Sequence, residues 1–426
     1  MADNLLDKAS ILLTPTAYND GSMLSIKPEN GDGDFDFQRS GNASRVNSSG
    51  NIVTESANIP RIDYTDGCGS WLLEPQSTNL ITQGNDLSNW SFGRTTRTIT
   101  DGINPDGTTE KVLVLATSAS NGTHRCYSNS TAIIPNEDYT ISVYVKKGTA
   151  SKIEMELKTL SESPDGFGEC VFDINNETIT NGKFEVFNDD WYRIQSTGSL
   201  NTSTSGIIFM YIYNEDGDRS YVATGNENLY LWGVQLEQQS YATSYIPTNG
   251  SIATRLADIA NNSGNSSLIN STEGVLYAEI AALADDLNIE GISISDGSIS
   301  NRVVIFKWSN SNSIRARVSS NGINVLNQTF SVSDITDFNK IAISYKLNEF
   351  KVYINGTNVF NGTSGAVPIG LNTLSFDTDG TSFTPFYGNT KDLKYYPKAL
   401  ADVQLEDLTT ITLDTIFGST FDITFN

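Results

Sequence analysis

The sequence predicts an all-β protein, in which an N-terminal segment of short strands precedes two β-sandwich domains. The first observation is composition: 18% of the 426 residues are charged, and the chain has 34 Gly against 11 Pro, a balance typical of turn-rich β-structure. The second is a series of short period-two runs separated by Gly and Asn turns. The third is length, which predicts two or three domains. An aromatic content of 10% argues against disorder.

Residues 1–78 form the predicted N-terminal segment. A hairpin is predicted over 43–55, because two strand-like runs flank a Ser-Ser-Gly turn. Alternation places Phe35 and Phe37 on one face of a further strand. Apolar residues are too few here for an independent core, so we expect this segment to pack on another domain or on a partner.

Residues 79–260 form the first predicted sandwich, because short strands recur there at regular spacing. Trp191 and Trp232 are assigned to its core. The strands are predicted at 111–115, 139–146, 153–157, 170–174, 191–194, 207–213 and 229–236.

Residues 261–411 form the second predicted sandwich, which begins with a polar flexible linker at 261–267. An Asn-Gly pair at 355–356 is a strong hairpin signal. The remaining strands are predicted at 275–280, 291–295, 302–308, 313–318, 340–345, 350–354, 373–376 and 390–395.

One helix and one tail complete the predicted organisation. The helix is expected at 399–408, with Leu400, Val403 and Leu405 facing inward. The C-terminal tail, 412–426, alternates apolar residues at its end and is expected to add a strand to a neighbour.

The charge balance excludes two classes of partner. With 27 basic and 50 acidic residues the net charge is −23, and the sequence shows no local cluster of basic residues, so no nucleic-acid partner is expected. No apolar run reaches the ~20 residues of a membrane span, so no membrane partner is expected either. The N-terminus lacks the features of a signal peptide, which predicts that the chain is made in a cytoplasm and not exported by that route.

Six segments share their sequence character with one known family: 139–147, 191–193, 229–237, 240–248 and 254–255, and 71–80 just ahead of the first predicted sandwich. Over about residues 10–260 the chain thereby resembles bacteriophage head-fibre and tail-fibre proteins. The domain itself is similar to the jelly roll of carbohydrate-binding modules.

The second predicted sandwich has paired strands with an Asn-Gly turn at 340–359 and a closing strand and short helix at 392–400. In these segments it resembles the concanavalin-like, laminin-G type of domain. Together the resemblances imply a structural virion protein, a head or tail fibre or spike subunit located in the virion and assembled in the host cytoplasm. They imply an N-terminal segment for virion attachment and oligomerisation. The implied partners are other capsid or tail proteins, further copies of the chain, and glycans of the host surface.

Sugar binding would use exposed aromatic rings, because pyranose faces are apolar and their edges are polar. The candidate glycan-binding residues are Trp90, Tyr211, Tyr213 and Trp308. Aromatic residues on the strands of a sandwich are also common core residues, and that alternative stays open for each of them.

A structural calcium ion is the one cofactor that the sequence suggests. Asp216 and Asp218 space their oxygens as a calcium loop does, as do the acidic residues of 32–36, and a solvated turn or strand edge is the alternative. Carbohydrate-binding jelly rolls often hold calcium with an aspartate pair on the last strand. That pair is missing at 230–234, so the family's calcium site is not transferred.

The sequence predicts no catalytic residue and therefore no enzyme. His124 is the single histidine, and no nucleophile elbow accompanies it. The open alternative is a polysaccharide-degrading phage enzyme, because glycoside hydrolysis needs only two carboxyl groups about 5–9.5 Å apart.

Overall fold

The computed structural model describes residues 5–15, 22–159, 166–379 and 384–411 of the chain. Over these residues the protein is almost entirely β-structure, and the two helices found there are short. The predicted all-β class is therefore confirmed. None of the helices described is long and apolar enough to cross a membrane. The predicted C-terminal tail at 412–426 lies outside the described residues.

The elements are numbered along the chain. Up to residue 158 they are α1 (Leu5–Lys8), β1 (Ile11–Leu13), β2 (Asp36–Gln38), β3 (Ala43–Val46), β4 (Ile52–Glu55), β5 (Arg61–Asp63), β6 (Ser70–Leu73), β7 (Ser77–Asn79), β8 (Ser91–Gly93), β9 (Thr95–Ile103), β10 (Thr109–Thr117), β11 (Asn121–Tyr127), β12 (Thr131–Ala132), β13 (Asp138–Lys147) and β14 (Lys152–Lys158). From residue 166 to 261 they are β15 (Gly166–Asp173), β16 (Thr178–Ile179), β17 (Lys183–Val186), β18 (Trp191–Ser199), β19 (Ser205–Ile212), β20 (Ser220–Val222), β21 (Asn228–Glu237), β22 (Ala253–Arg255) and β23 (Ile259–Asn261). The remaining elements are β24 (Glu273–Ala282), β25 (Glu290–Ser295), β26 (Arg302–Lys307), β27 (Ser313–Ser320), β28 (Ile323–Ser331), β29 (Asn339–Lys346), β30 (Glu349–Ile354), β31 (Thr357–Gly362), β32 (Thr373–Ser375), β33 (Gly388–Tyr396) and α2 (Asp402–Thr409).

The chain folds into two compact units, and each is a β-sandwich. The first unit consists of Met1–Asn42, Glu55–Pro75 and Leu256–Asn426, and the second of Ala43–Thr54 and Gln76–Arg255. Two sandwiches were predicted, and two are found.

The first unit packs an eight-stranded sheet on a five-stranded sheet. The larger sheet has the order β31-β30-β29-β24-β33-β6-β5, with β1 also paired to β33, and the smaller has the order β28-β27-β26-β25-β32. Alternate apolar residues of both sheets meet in one core, among them Ile280 and Ile341 from the larger sheet and Ile305 and Ile314 from the smaller. A short pair, β2 with β23, completes the unit.

The predicted Asn-Gly hairpin joins β30 to β31 in the first unit. Asn355 and Gly356 have φ values of 49° and 79°, the left-handed conformation that a two-residue hairpin turn of this type requires. Ile354 and Thr357 pair across the turn, so this prediction is confirmed.

The second unit packs a six-stranded sheet on an eight-stranded one. The six-stranded sheet has the order β17-β18-β13-β21-β10-β9. The other has the order β16-β15-β14-β19-β11-β20, with β12 paired to β19 and β8 to β11. The two pairs β3–β4 and β7–β22 also belong to this unit. Trp191 and Trp232 are buried, as predicted, in a cluster with Tyr144 and Phe187.

The N-terminal 78 residues are divided between the two units, whereas the sequence predicted one separate segment. Strands β1, β5 and β6 extend the large sheet of the first unit. The hairpin β3–β4, found as predicted, and β7 belong to the second unit. The reason is that strands of three or four residues cannot hold a core alone, so each one extends or packs on an existing sandwich.

The segment 261–267 is not the flexible linker that the sequence predicted. Asn261 ends β23, and Ser263 is fully buried and donates its hydroxyl to the Gly33 carbonyl at 2.7 Å. Ser263 also pairs with Leu374 through the backbone. Asn, Ser and Gly favour tight turns as well as mobile loops, and the boundary between the units falls at 255–256 instead of 260–261.

Two local predictions for the C-terminal half need correction. Helix α2 buries Leu405 and Leu408, and Leu400 just ahead of it, but Val403 is 62% exposed. Strand β28 was not predicted, because most of its side chains are exposed and its apolar pattern is weak.

Candidate functional site

The outward face of the eight-stranded sheet in the second unit holds a group of charged and aromatic side chains. On β14, Met155 and its alternate neighbours face the core, so Glu154, Glu156 and Lys158 lie on the opposite face. Register places Glu154 opposite Tyr211 on the neighbouring strand β19. We call this surface the tyrosine face; it is formed by Arg125, Tyr127, Glu154, Glu156, Lys158, Phe209, Tyr211, Tyr213 and Arg219.

Aromatic rings form the floor and the edges of the tyrosine face. Phe209 and Tyr211 are buried and stack with 6.1 Å between ring centroids. Tyr127 stacks on Phe209 at 5.2 Å and remains half-buried, as does Tyr213. The rings of Tyr127 and Tyr213 are therefore the accessible aromatic surface of this face.

An ionic network covers the buried part of the floor. The Cζ atom of Arg219 lies 3.7 Å from the Tyr211 ring centroid. The same guanidinium contacts Glu154 at 3.2 Å and Glu156 at 3.1 Å. Lys158 forms a second ion pair with Glu156 at 2.6 Å. These contacts compensate two carboxylates that are almost fully removed from water.

Several groups of the tyrosine face have pKa values that differ from their ordinary values. Burial raises the pKa of Glu154 above its ordinary value, although the hydrogen bond from Tyr213 and the charge of Arg219 oppose the rise. Burial also raises the pKa of Tyr211. The pKa of Tyr213 is raised by burial and by its hydrogen bond to Glu154. Clusters of shifted pKa values are typical of functional sites.

The structure brings together two of the four predicted glycan-binding residues. Tyr211 and Tyr213 both lie on the tyrosine face, but Arg219 covers the Tyr211 ring, so Tyr211 supports the floor. Tyr127 was missed, because the strand β11 that holds it was not predicted. Its alternation with Arg125 along 121–127 is the signal that identifies the outward side chains.

The other two predicted residues lie elsewhere. Trp90 is 6% exposed and belongs to the core of the second unit, so its ring offers no open face and the prediction is corrected. Trp308 lies in the first unit, half-buried on the outward face of the five-stranded sheet beside Arg315.

The predicted calcium residues lie in the turn that follows β19. Asp216 and Asp218 are exposed, and Asp218 accepts a hydrogen bond from the Asn214 side-chain amide at 3.0 Å. Among the described residues, no three His, Cys, Asp or Glu side chains are placed to hold a metal ion. Calcium at this turn therefore stays a prediction from the sequence.

A polar cleft of about 440 Å³ opens elsewhere in the second unit. Tyr192 donates its hydroxyl to Glu177 at 2.8 Å, and Lys147 donates to Asn175 at 2.6 Å. The cleft is lined by Lys147, Ile174, Asn175, Asn176, Glu177, Asp190 and Tyr192. Its volume lies within the range of small-ligand sites, which makes it the second place to test for a sugar.

Three separate segments of the second unit meet at the buried carboxylate of Glu237. Ser77 donates its hydroxyl to this carboxylate at 2.7 Å, and the Thr243 backbone N–H donates at 3.1 Å. Gln235 donates at 3.1 Å as well. Burial raises the pKa of Glu237, although hydrogen bonds from the Thr243 and Ser77 side chains oppose the rise. Because the carboxylate is enclosed, this network stabilises the fold and is not a surface for a ligand.

Comparison with known proteins gives only partial likenesses. No protein-family model matches the sequence, and no curated protein matches it either. Among solved structures, the CBM40 of the Ruminococcus gnavus IT-sialidase is similar at 14% identity, with 34% of this chain and 87% of that chain covered and a TM-score of 0.30.

Two further structures are similar to the same extent. Domain 4 of AbnA, a GH43 extracellular arabinanase from Geobacillus stearothermophilus in complex with arabinotriose, has 15% identity over 40% of this chain and 84% of that chain, with a TM-score of 0.30. A NanB sialidase from Streptococcus pneumoniae has 18% identity over 35% of this chain and 26% of that chain, with a TM-score of 0.29. At these scores no conclusion about this chain rests on the likeness.

Proposed function

We propose that this chain is a glycan-binding protein and that the tyrosine face is its sugar site. The observation that carries the proposal is the combination of accessible rings with buried, compensated charges on one outward face. The rings of Tyr127 and Tyr213 suit the apolar face of a pyranose. The half-buried Arg125, beside these rings, suits the hydroxyl groups at its edge.

The proposal extends to a bacteriophage virion, where the chain would be a structural head or tail fibre or spike subunit. Its support is the sequence resemblance of the segments between 71 and 255. Homo-oligomeric assembly belongs to the same proposal, because weak sugar sites gain avidity when several copies are displayed together. Capsid or tail proteins would be the partners at the particle, and host-surface glycans the partners outside it.

The glycan site is tested by screening the full chain on an array of bacterial surface polysaccharides and titrating the best ligand by calorimetry. Tyr127→Ala and Arg125→Ala should each weaken binding at least tenfold. Arg97→Ala is the matched control, because Arg97 lies on β9 of the other sheet, and it should leave binding unchanged.

Two results would contradict the tyrosine face as the site. One is unchanged affinity in Tyr127→Ala and Arg125→Ala proteins that remain folded by circular dichroism. The other is loss of binding on Lys147→Ala, which would transfer the site to the polar cleft.

The virion role is tested by electron microscopy of particles labelled with an antibody to residues 271–411. Label on projecting fibres is the expected result, and its position separates head from tail. Particles without label, together with soluble protein in the lysate, would contradict the virion assignment.

A polysaccharide-degrading enzyme is the second candidate, and one pair of carboxyl groups favours it. Asp392 lies directly opposite Glu279 in the large sheet of the first unit, and burial raises the pKa of Asp392 to about 6. A carboxylic acid of raised pKa beside a second carboxylate is the arrangement that glycosidases use. Lys394 and Lys340 pair with these two groups, which is also the pattern of a structural network. Release of reducing ends that Asp392→Asn abolishes would establish the enzyme.

A further inference from the structure

Three arginines and two aromatic side chains share the outward face of the five-stranded sheet in the first unit. Alternate residues of β26 and β27 belong to the core, so their neighbours face outward. Register places Phe306 opposite Arg315, and Arg317 is paired with the residue two positions before Phe306. We call this surface the arginine face; it is formed by Arg302, Phe306, Trp308, Arg315 and Arg317.

The aromatic rings hold two of the guanidinium groups. The Cζ atom of Arg315 lies 3.3 Å from the Trp308 ring centroid, and that of Arg317 lies 5.0 Å from the Phe306 centroid. Phe306 and Trp308 contact each other edge to face at 5.6 Å. Cation–π contacts of this kind orient an arginine without neutralising its charge.

The terminal amino groups of Arg315 and Arg317 remain available. Each side chain donates through Nε, Arg315 to Thr329 at 2.8 Å and Arg317 to Asn327 at 3.1 Å. The Nη atoms of both form no hydrogen bond with the part of the chain that the structure describes. These atoms are the forked donors that arginine uses to bind a carboxylate at two points.

The arginine face is a local excess of positive charge in a protein of net charge −23. None of the ion pairs between described residues includes Arg302, Arg315 or Arg317. Burial lowers the pKa of each of the three arginines. The charge of a neighbouring arginine lowers the pKa of Arg302 and of Arg317 further, and for Arg302 the charge of Asp379 opposes that decrease. The Nε atom of Arg302 is buried without a hydrogen-bond partner among the described residues. Arg315 and Arg317, which lie close together and form no ion pair among the described residues, favour binding of an anion.

We propose that the arginine face binds the carboxylate groups of an acidic polysaccharide. Arg315 and Arg317 are two residues apart on one strand, a spacing of about 6.8 Å, so they reach successive positions along an extended ligand. Arg315 lies on the ring of Trp308, so this ring orients the guanidinium group, and the arginines make the contact with the ligand. The ligand class rests on the proposed glycan-binding function, but the site belongs to the other unit and uses different residues.

Single-stranded nucleic acid also binds arginine and aromatic groups, but the observations favour the polysaccharide. Proteins that bind single strands stack successive bases on open aromatic faces, but Arg315 covers the Trp308 ring and Phe306 is 3% exposed. A carboxylate needs only the forked Nη donors of Arg315 and Arg317.

The experiment measures binding of the full chain to polygalacturonate by calorimetry, with fully methyl-esterified pectin as the uncharged comparison. Binding should occur with polygalacturonate only and should weaken as salt increases. Arg315→Gln combined with Arg317→Gln should lower the affinity at least tenfold. Arg97→Gln is the matched control and should leave the affinity unchanged.

The outcomes separate this inference from the proposed function. Polygalacturonate binding that survives the double variant but is lost in Arg125→Gln would overturn the arginine face and leave the tyrosine face as the glycan site. Equal affinity for poly(dT) and polygalacturonate would overturn the preference for carboxylated sugars. No binding to polygalacturonate, with neutral glycans still bound on the array, would overturn the arginine face alone. No binding to any glycan would overturn both proposals.

Discussion

Arg39 and Asp258 lie 219 positions apart in the sequence and form a fully buried ion pair, with 3.0 Å between Nη1 and Oδ1. The second oxygen of Asp258 accepts a hydrogen bond from Arg61, which also pairs with Glu74 at 2.5 Å. Burial by itself would lower the pKa of Arg61, but the charges of Asp258 and Glu74 outweigh it and raise this pKa above its ordinary value. This network connects three separate pieces of the chain and explains why N-terminal residues belong to the first unit.

Asp258→Asn should destabilise the first unit by about 3–5 kcal/mol, because it leaves two buried guanidinium groups without their shared counter-charge. The measurement is urea denaturation of the full chain. Asp402→Asn is the control, because the Asp402 side chain is 65% exposed in its pair with Lys351, and it should change stability by no more than about 0.5 kcal/mol. Equal effects of the two substitutions would show that the network adds nothing.

Arg219→Met should destabilise the second unit by about 2 kcal/mol, since it leaves Glu154 and Glu156 buried without Arg219 as a partner. This expected loss of stability is smaller than for a fully buried ion pair, because the Arg219 side chain is 31% exposed. Adding Glu154→Gln should recover part of the loss, and a double-mutant cycle measures the coupling. Strictly additive losses would exclude the coupling.

The buried carboxyl group of Glu290 should make the folded protein less stable as the pH rises. Burial raises its pKa to about 7 from an ordinary value of 4.5, although Lys307 opposes the rise. The folded state therefore keeps the proton up to a higher pH than the unfolded state does. It follows that the free energy of unfolding decreases between about pH 4.5 and 7, by about 3 kcal/mol.

Glu290→Gln should remove this decrease and raise the melting temperature at pH 8 relative to the unmodified chain. The measurement is thermal denaturation at pH 4.5, 6 and 8. Glu406→Gln, on the exposed side of α2, is the control. A pH dependence that survives in Glu290→Gln would assign it to another group.

Gly84→Ala should destabilise the second unit, because a Cβ atom at this position would lie 2.4 Å from the Val234 carbonyl oxygen. The expected cost is about 1–3 kcal/mol, the usual range for overpacking. Gly93→Ala is the control, since its nearest neighbour would lie at 3.4 Å, an ordinary contact. The measurement is thermal denaturation of both variants, and equal melting temperatures would contradict the prediction.

The sequence by itself determined the all-β class and most of the strands. Strand β13 alternates polar and apolar residues, and strand β19 is an unbroken apolar run that is buried almost throughout. The Asn355-Gly356 turn could also be predicted from the sequence, because its left-handed backbone conformation favours those residue types. Strand β28 escaped prediction because Leu326 is its single buried residue and its apolar residues do not alternate regularly.

The tertiary structure alone decided which short strands join which sandwich and which side chains converge. Trp90 carries the same side chain as Trp308, yet only the packing around it places it in the core. Tyr127 and Tyr211 lie on neighbouring strands that are far apart in sequence. Their proximity therefore depends on strand pairing, which local patterns do not specify.

The arginine face is a second case in which strand pairing, and not the local sequence pattern, brings the side chains together. The sequence has no local cluster of basic residues, because Arg302 is separated from Arg315 and Arg317 by a turn and by apolar residues. Antiparallel pairing of β26 with β27 brings the three guanidinium groups to one outward face. Residue alternation is a local consequence of burying one side of a strand, whereas the arrangement of charges across strands results from long-range pairing within the sandwich.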